Sequence, residues 1–249
     1  MRILIVNDDG FSSGGITALA EALCPKHKIT VVAPDRGRSG MSHALTFKQP
    51  VTVTKIDGFL WDCYKTSGTP ADSVLIGVEL LKNNPPDLIL SGINDDLNLG
   101  TELTYSGTVH SAIEASLRGF PAMAISARAR SEQDFRNTAA YFVQNFDYYM
   151  SITAPEFPIS INIHSSEGGN IGNKLTHMGE RKYLDIYTIV ENGEAHTYTL
   201  DGEPLHSEKN NDDSDVVAFL AGYATITPLT ADRTDYARLN ALKNIREPR

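Results

Sequence analysis

The chain has 249 residues, 41% hydrophobic and 21% charged, a balance that suits one large domain or a core with a smaller appendage. Its 22 basic and 31 acidic residues give a formal charge of −9, which argues against a stable nucleic-acid complex, because that needs a basic face. Cys24 and Cys63 are the only cysteines and form no C-x-x-C, so neither a disulfide framework nor a thiolate zinc site is indicated. In chain order, "ILIV" reads as a strand running straight into "NDDG". "GITALAEALCP" then spaces Ile16, Leu19, Ala20 and Leu23 at i, i+3, i+4 and i+7, an amphipathic helix stopped by Pro25. "KITVVAP" is a second apolar strand, and the alternating "VTVTKI" with "FLWDCYKT" reads as further strand. "TPADSVLIGVELLK" carries helix-start signals: Thr69 as N-cap, Pro70 at the first position and Asp72 in the first turn. "PDLILSG" is a continuous apolar strand, and "TVHSAIEASLRG" is a helix with Gly119 past its end. "PAMAISA" is another buried strand, and Ser131 with Asp134 has capping-box spacing before a helix.

Strand and helix thus alternate through about residue 150, the pattern of a doubly wound, mostly parallel Rossmann-like α/β sheet covered on both faces. The remainder changes character. "FPISINIH" reads as one more strand, and the polar stretch from Ser165 to Asn173 as a loop. "YLDIYTIVENGEAHTYTL" is two alternating runs around Asn192–Gly193, a hairpin signal. "DSDVVAFLAGYATITPL" reads as a short helix and a strand, and "TDYARLNALKNI" as a terminal helix. The chain is expected to be a single domain over 1–249, with a regular core to about 150 and closing strands, hairpin and C-terminal helix beyond. No secretory leader pattern and no apolar run near the ~20 residues of a membrane span is visible, so a cytoplasmic protein without a membrane partner is expected.

The polar residues collect after the apolar strands. "NDDG", "APDRGRSG" and "SGINDDLNLG" follow three of them, and in a doubly wound sheet the strand carboxyl ends share one edge, where ligands bind. Two carboxylates about 4 Å apart repel by roughly 4 kcal/mol at an effective dielectric of 20. Adjacent Asp8 and Asp9 at a strand end therefore suggest a held cation, or a turn solvated by water; Asp and Asn before Gly are also common turn formers. Asp8, Asp9, Ser39 and Asn94 offer oxygen only, which suits Mg²⁺, Mn²⁺ or Ca²⁺ rather than zinc. Ser106, Gly107 and Thr108 begin a helix, whose N-terminus can bind an anion or simply be capped. Arg36 and Arg38 are candidates for anion steering or for plain surface residues. His43 and His110 are candidates for acid–base work or for neutral hydrogen-bonded histidines. Trp61 reads as core. "GFSSGG" matches neither the dinucleotide nor the Walker pattern, and no nucleophile elbow supports a serine hydrolase.

Together "NDDG", "APDRGRSG", "SGTPADSV", "SGIN", "NLG", "YSGTV" and "SDVVAFLAGYATITPL" resemble the SurE family of survival proteins, metal-dependent nucleoside-monophosphate phosphatases. The resemblance implies hydrolysis of nucleoside 5′-monophosphates, with 3′-monophosphates and short-chain polyphosphate as further substrates. It implies one divalent ion per subunit on Asp8, Asp9, Ser39 and Asn94, Asp8 or Asp9 doubling as catalytic base, and phosphate contacts from Asn98, Ser106, Gly107 and Thr108. It also implies homodimers or homotetramers through an exchanged C-terminal hairpin. The sequence departs from the family pattern at Asp96, where a glycine is usual, at His110, where a small residue is usual, and at His164 in "SINIH". Asp96 is expected to tolerate a left-handed backbone and to add negative potential beside the phosphate. Two other readings stand beside this one. A phosphate-accepting receiver domain would need an aspartate after the third strand and a lysine after the fifth, for which Asp57 and Lys65 are poor substitutes. A nucleotide-binding protein without turnover is the other.

Overall fold

The computed structural model describes residues 1–166, 168–192, 195–205, 207, 209–243 and 245. Their elements are β1 (Arg2–Val6), α1 (Gly14–Leu23), β2 (Lys28–Pro34), β3 (Val53–Ile56), β4 (Asp62–Thr66), α2 (Pro70–Leu80), β5 (Leu88–Asn94), a 3₁₀ turn (Gly100–Thr104), α3 (Gly107–Leu117), β6 (Ala122–Ser126), α4 (Glu132–Gln144), α5 (Phe146–Ser151), β7 (Ile159–Asn162), β8 (Asn173–Leu175), β9 (Lys182–Asn192), β10 (Ala195–Leu205), α6 (Asp215–Leu220), β11 (Ala224–Pro228) and α7 (Tyr236–Lys243). The strands order as β3-β4-β2-β1-β5-β6-β7-β11-β8, with β9 and β10 forming a separate two-stranded sheet. The run from β4 through β7 is parallel throughout. Counting only these six strands along the chain, their spatial order is 3-2-1-4-5-6, the doubly wound arrangement in which direction reverses between β1 and β5.

Helices cover both faces because the strands are apolar on both. Ile3 and Ile5 of β1 join a core with Ile16 and Leu19 of α1, Phe142 of α4 and Tyr149 of α5. Leu4 and Val6, pointing the other way, join Val74 of α2 and Val109 and Ile113 of α3. The period-two alternation of a strand divides one four-residue run between two cores. All four periodic residues of α1 are buried. Capping boxes start α2 at Thr69/Asp72 and α4 at Ser131/Asp134, and Gly119 takes a φ of +83° just past α3.

Three features stand outside the regular α/β alternation. No helix forms between β2 and β3, where Gly37, Gly40 and Pro50 interrupt the chain, and β3 pairs antiparallel with β4. The successive strands read from "KITVVAP", "VTVTKI" and "FLWDCYKT" are present as β2, β3 and β4, so strand and helix alternate up to residue 150 only outside this stretch and the α4–α5 pair. The end of the stretch expected as a loop from Ser165 to Asn173 enters β8, held parallel to β11, and β11 runs antiparallel to β7. The two runs expected to form a hairpin do so, with Asn192 opposite Ala195; the Gly193 half of the Asn192–Gly193 turn lies outside the described residues. Ile186, Tyr187, Ile189, Val190, Tyr198 and Leu200 leave this ribbon exposed on both faces. No helix of the described residues is long and apolar enough to cross a membrane.

Candidate active site

The site begins where β1 ends. Asn7 is fully buried and acts as the brace of the turn. Its Nδ2 donates to the Gly10 carbonyl at 2.9 Å and to Ser13 Oγ at 2.8 Å, while its Oδ1 accepts from the Gly10 N–H at 3.1 Å. Gly10 has a φ of +102°, a conformation that a side chain would strain. This turn presents Asp8 and Asp9 at the switch point, opposite Asn94 at the end of the neighbouring β5. A register shift between Ser91 and Asn94 in the β5–β6 pairing re-aims that end.

Asp8 is 5% exposed. It accepts a hydrogen bond from the Thr108 hydroxyl, which also lies 3.3 Å from Asn94 Oδ1. Thr108 has one hydroxyl hydrogen, so the contact with Asp8 leaves the Asn94 oxygen as a free acceptor. Asn94 Nδ2 is fixed by the Asp96 carbonyl at 2.7 Å, which turns Oδ1 toward the site. Burial raises the Asp8 carboxyl above its ordinary range, and Asp9 is pushed up to about 7 by burial first, then by the charges of Asp8 and Asp95. Asp9 Oδ2 is buried with no hydrogen-bond partner. Two strained carboxylates, one oxygen of them orphaned, beside a free amide oxygen fit a hard divalent cation. No group of three His, Cys, Asp or Glu among the described residues has ligand geometry, so the oxygen set, rather than a zinc-type cluster, is the one available.

Ser39 is the outlying member of the expected ligand set. It is exposed, and among the described residues no hydrogen bond ties it to the other three. Its neighbour Arg38 anchors that loop, donating its backbone N–H to the Asp8 carbonyl at 2.7 Å. The Arg38 guanidinium donates to the Ser67 carbonyl at 2.7 Å and sits 3.6 Å from Asp35, so it supports the loop, while Arg36 is exposed.

The N-terminus of α3 closes over the carboxylates. A Cβ on Gly107 would lie 3.1 Å from Asp8 Oδ2 and 3.0 Å from Pro70 Cγ, so only glycine lets the helix approach this closely. Ser106 is the N-cap, its Oγ accepting from the Val109 N–H at 3.1 Å. The plain capping role is thus realised, and the hydroxyl hydrogen remains available. Asn98 sits deeper, in a buried amide network. Its Nδ2 donates to Ser126 Oγ at 2.8 Å, its backbone N–H to Asn162 Oδ1 at 2.8 Å, and Asn162 returns a bond to its carbonyl at 2.8 Å. No hydrogen bond links Asn98 to Asp8, Asp9, Ser106 or Thr108 among the described residues.

One expectation is overturned by geometry. Asp96 sits 3.1 Å from Arg130 and 3.5 Å from Arg128. Despite partial burial its carboxyl is held below the ordinary range by the Leu97 N–H and these guanidinium groups. Its φ is not positive. Its charge is compensated locally and does not stand against a phosphate. His43 and His110 form a cluster behind α3 rather than facing the carboxylates. Trp61 stacks on Phe59 at 5.2 Å and packs against the core. Asn7 and Asn162 were not singled out by sequence reasoning. Their signal was an asparagine at the end of an apolar strand, where a buried amide must be hydrogen-bonded. A cleft of about 660 Å³ opens beside the site, lined by Gly14, Asp95, Arg130 and Phe135 among others but not by Asp8 or Asp9.

These features define a doubly wound α/β protein with an acidic, oxygen-lined site at the switch point and a helix N-terminus over it. The family model "Survival protein SurE" matches residues 3–185. A 5′-nucleotidase SurE of Pseudothermotoga lettingae is 37% identical, covering 98% of this chain and 95% of the relative. One of Synechococcus is 40% identical, covering 98% and 96%. The crystal structure of the SurE protein from Aquifex aeolicus superposes with a TM-score of 0.83 at 36% identity, covering 98% of each chain. The chain belongs to the SurE family.

Proposed function

We propose that this protein is a 5′-nucleotidase: a phosphoric monoester hydrolase that releases phosphate from nucleoside 5′-monophosphates, with 3′-monophosphates and short-chain polyphosphate as further substrates. The observation that carries this reading is the orphaned, buried Asp9 oxygen beside Asp8 and Asn94, directly under the N-terminus of α3. Its support from relatives is that they bear the name 5′-nucleotidase SurE at 34–40% identity over almost the whole chain.

Asp8, Asp9 and Asn94, with Ser39 from the loop after β2, would hold one divalent ion per subunit, Mg²⁺ or Mn²⁺ in preference to Ca²⁺. When bound, such an ion supplies positive charge toward a phosphoryl oxygen and makes water a stronger nucleophile. The protein's own groups do the rest. The Gly107 N–H, with the positive end of the α3 dipole, receives a phosphoryl oxygen, while Thr108 directs its hydroxyl and its N–H at Asp8 and so holds that carboxylate under the bound phosphate. The Ser106 hydroxyl donates to a phosphoryl oxygen as well, and charge developing there meets donors already in place. Asp8 or Asp9, through a carboxylate oxygen not given to the ion, accepts the proton of the attacking water. Asn98 acts from behind, bracing the loop through Ser126 and Asn162, with any phosphate contact left to the second hydrogen of its Nδ2.

The chain is read as one domain working in the cytoplasm, a setting with which its two free cysteines agree. Its ribbon β9–β10 exposes apolar side chains on both faces, and an isolated hairpin is marginal in water, which supports a homodimer or homotetramer assembled through it. Light scattering at micromolar concentration should give at least twice the 27.2 kDa chain mass; a monomer would remove the hairpin from this role. The activity itself is tested with Mn²⁺ and a panel of mononucleotides scored by released phosphate. Many turnovers on 5′-monophosphates are expected. One stable phosphorylation per chain would favour a receiver, and binding without release would leave a nucleotide-binding protein.

A further inference from the structure

Behind α3 lies a second set of titratable side chains that the hydrolysis above does not use. His110 is 2% exposed. Its Nδ1 lies 2.9 Å from the Ser106 carbonyl, and its Nε2 lies 2.6 Å from Nη2 of Arg233, in the segment between β11 and α7. A guanidinium only donates, so Nε2 must accept and the ring hydrogen must sit on Nδ1. That hydrogen points at Ser106. The Ser106 carbonyl also accepts the His110 backbone N–H at 3.2 Å, so it is gripped twice. The ring is walled on its other side by His43, 5.3 Å away between centroids. His43 in turn is held by buried Glu114 at 2.8 Å, whose other oxygen takes Arg118 at 2.6 Å.

Resting on the phosphatase reading, we propose that His110 is a positioning residue for phosphate: fixed in its Nδ1–H tautomer by Arg233, it locks the Ser106 carbonyl and thereby the N-terminal turn of α3 that receives the phosphoryl group. The logic is geometric. Ser106 is the cap, and its backbone orientation sets where its own hydroxyl and the Gly107 and Thr108 N–H groups point. A buried imidazole donating to the cap carbonyl removes freedom from the residues that must be pre-organised. Arg233 does not touch the site; it acts through the ring. The C-terminal segment is thereby coupled to the helix that binds phosphate. The turn is also held by the His110 backbone N–H on the Ser106 carbonyl and by the Ser106 cap on Val109, so loss of the imidazole should cost a factor rather than abolish turnover.

The test uses the full-length protein and the variants His110→Leu, His110→Asn and Arg233→Met. Five quantities are measured: kcat and KM for a 5′-monophosphate at saturating Mn²⁺, the affinity for inorganic phosphate by calorimetry, the affinity for Mn²⁺, and the thermal midpoint. His110→Leu should lower kcat/KM roughly tenfold, with KM rising as the affinity for inorganic phosphate falls in step, as expected for one lost buried hydrogen bond. His110→Asn can place its Nδ2 where Nδ1 was, and should recover to within about threefold of wild type. Arg233→Met, at an exposed position that should not disturb folding, should fall in the same direction by less. Mn²⁺ affinity should be the same in all four proteins. The proposal is overturned if His110→Leu keeps the wild-type rate and phosphate affinity, or if His110→Asn is as impaired as His110→Leu. It is also overturned if Mn²⁺ affinity falls in step with the rate, because the effect would then run through Asp8. Should the wild type release no phosphate, the hydrolase reading falls, while the phosphate affinities still decide this one.

Discussion

Asp9→Asn should make the metal-free protein more stable above pH 7 and remove its response to metal. The folded protein holds the Asp9 proton up to about 7, against an ordinary 3.8, chiefly through burial and then through the charges of Asp8 and Asp95. Between those two values the folded state binds more protons than the unfolded chain, so stability falls as pH rises and the full penalty is present above 7. At about 1.36 kcal/mol per pH unit the upper limit is about 4 kcal/mol. Relaxation and water penetration around a buried charge bring the expected value to roughly 2 kcal/mol. Asparagine is nearly isosteric and neutral, so it escapes this penalty. Urea denaturation in EDTA at pH 8 should therefore find the variant more stable by roughly 2 kcal/mol, and the difference should shrink as the pH is lowered toward 4. Mn²⁺ at about a hundred times its Kd should add about 2.7 kcal/mol to the wild type and almost nothing to the variant. A variant less stable than wild type at pH 8 in EDTA would refute the reasoning, because it would mean the Asp9 carboxylate is satisfied within the fold.

Thr69→Ala removes the cap that accepts the Asp72 N–H at 3.0 Å and the bond to the Ala44 carbonyl at 2.7 Å, and thermal melts should register a loss of about 1–2 kcal/mol. Asp96→Gly should change KM by less than about twofold, because Arg130 and Arg128 already compensate the charge; a drop of several-fold in KM would revive the repulsion expected from sequence.

The fold was readable where one local rule acted without competition. The continuous apolar strands, the capping pairs Thr69/Asp72 and Ser131/Asp134, and the periodic stripe of α1 each specify their element by themselves. The segment from Asp35 to Thr52 was not, because Gly and Pro only mark where regular structure stops, and the path of an irregular segment is set by tertiary contacts such as Thr46 to Asp72 at 3.0 Å. β8 was hidden for a related reason: a three-residue strand in a polar, glycine-rich stretch owes its existence to β11. Within the site, Asp8, Asp9, Asn94 and Thr108 could be grouped from sequence because parallel topology gathers strand ends on one edge. The partners of Asp96 could not, since Arg128 and Arg130 arrive from the loop after β6 and no local pattern links them to it. Nor could the contact between His110 and Arg233, which are 123 positions apart.

The central claim is that the paired carboxylates at the end of β1 hold a cation on which phosphate release depends. The most direct measurement follows Mn²⁺ binding by calorimetry and phosphate release from a nucleoside 5′-monophosphate in one titration of EDTA-dialysed protein. The account predicts no release at the start and a rate that rises in proportion to the filling of one site per chain. It also predicts that Asp9→Asn shows neither the binding nor the rate. Full release before any metal is added, or release unchanged by Asp9→Asn, would contradict it.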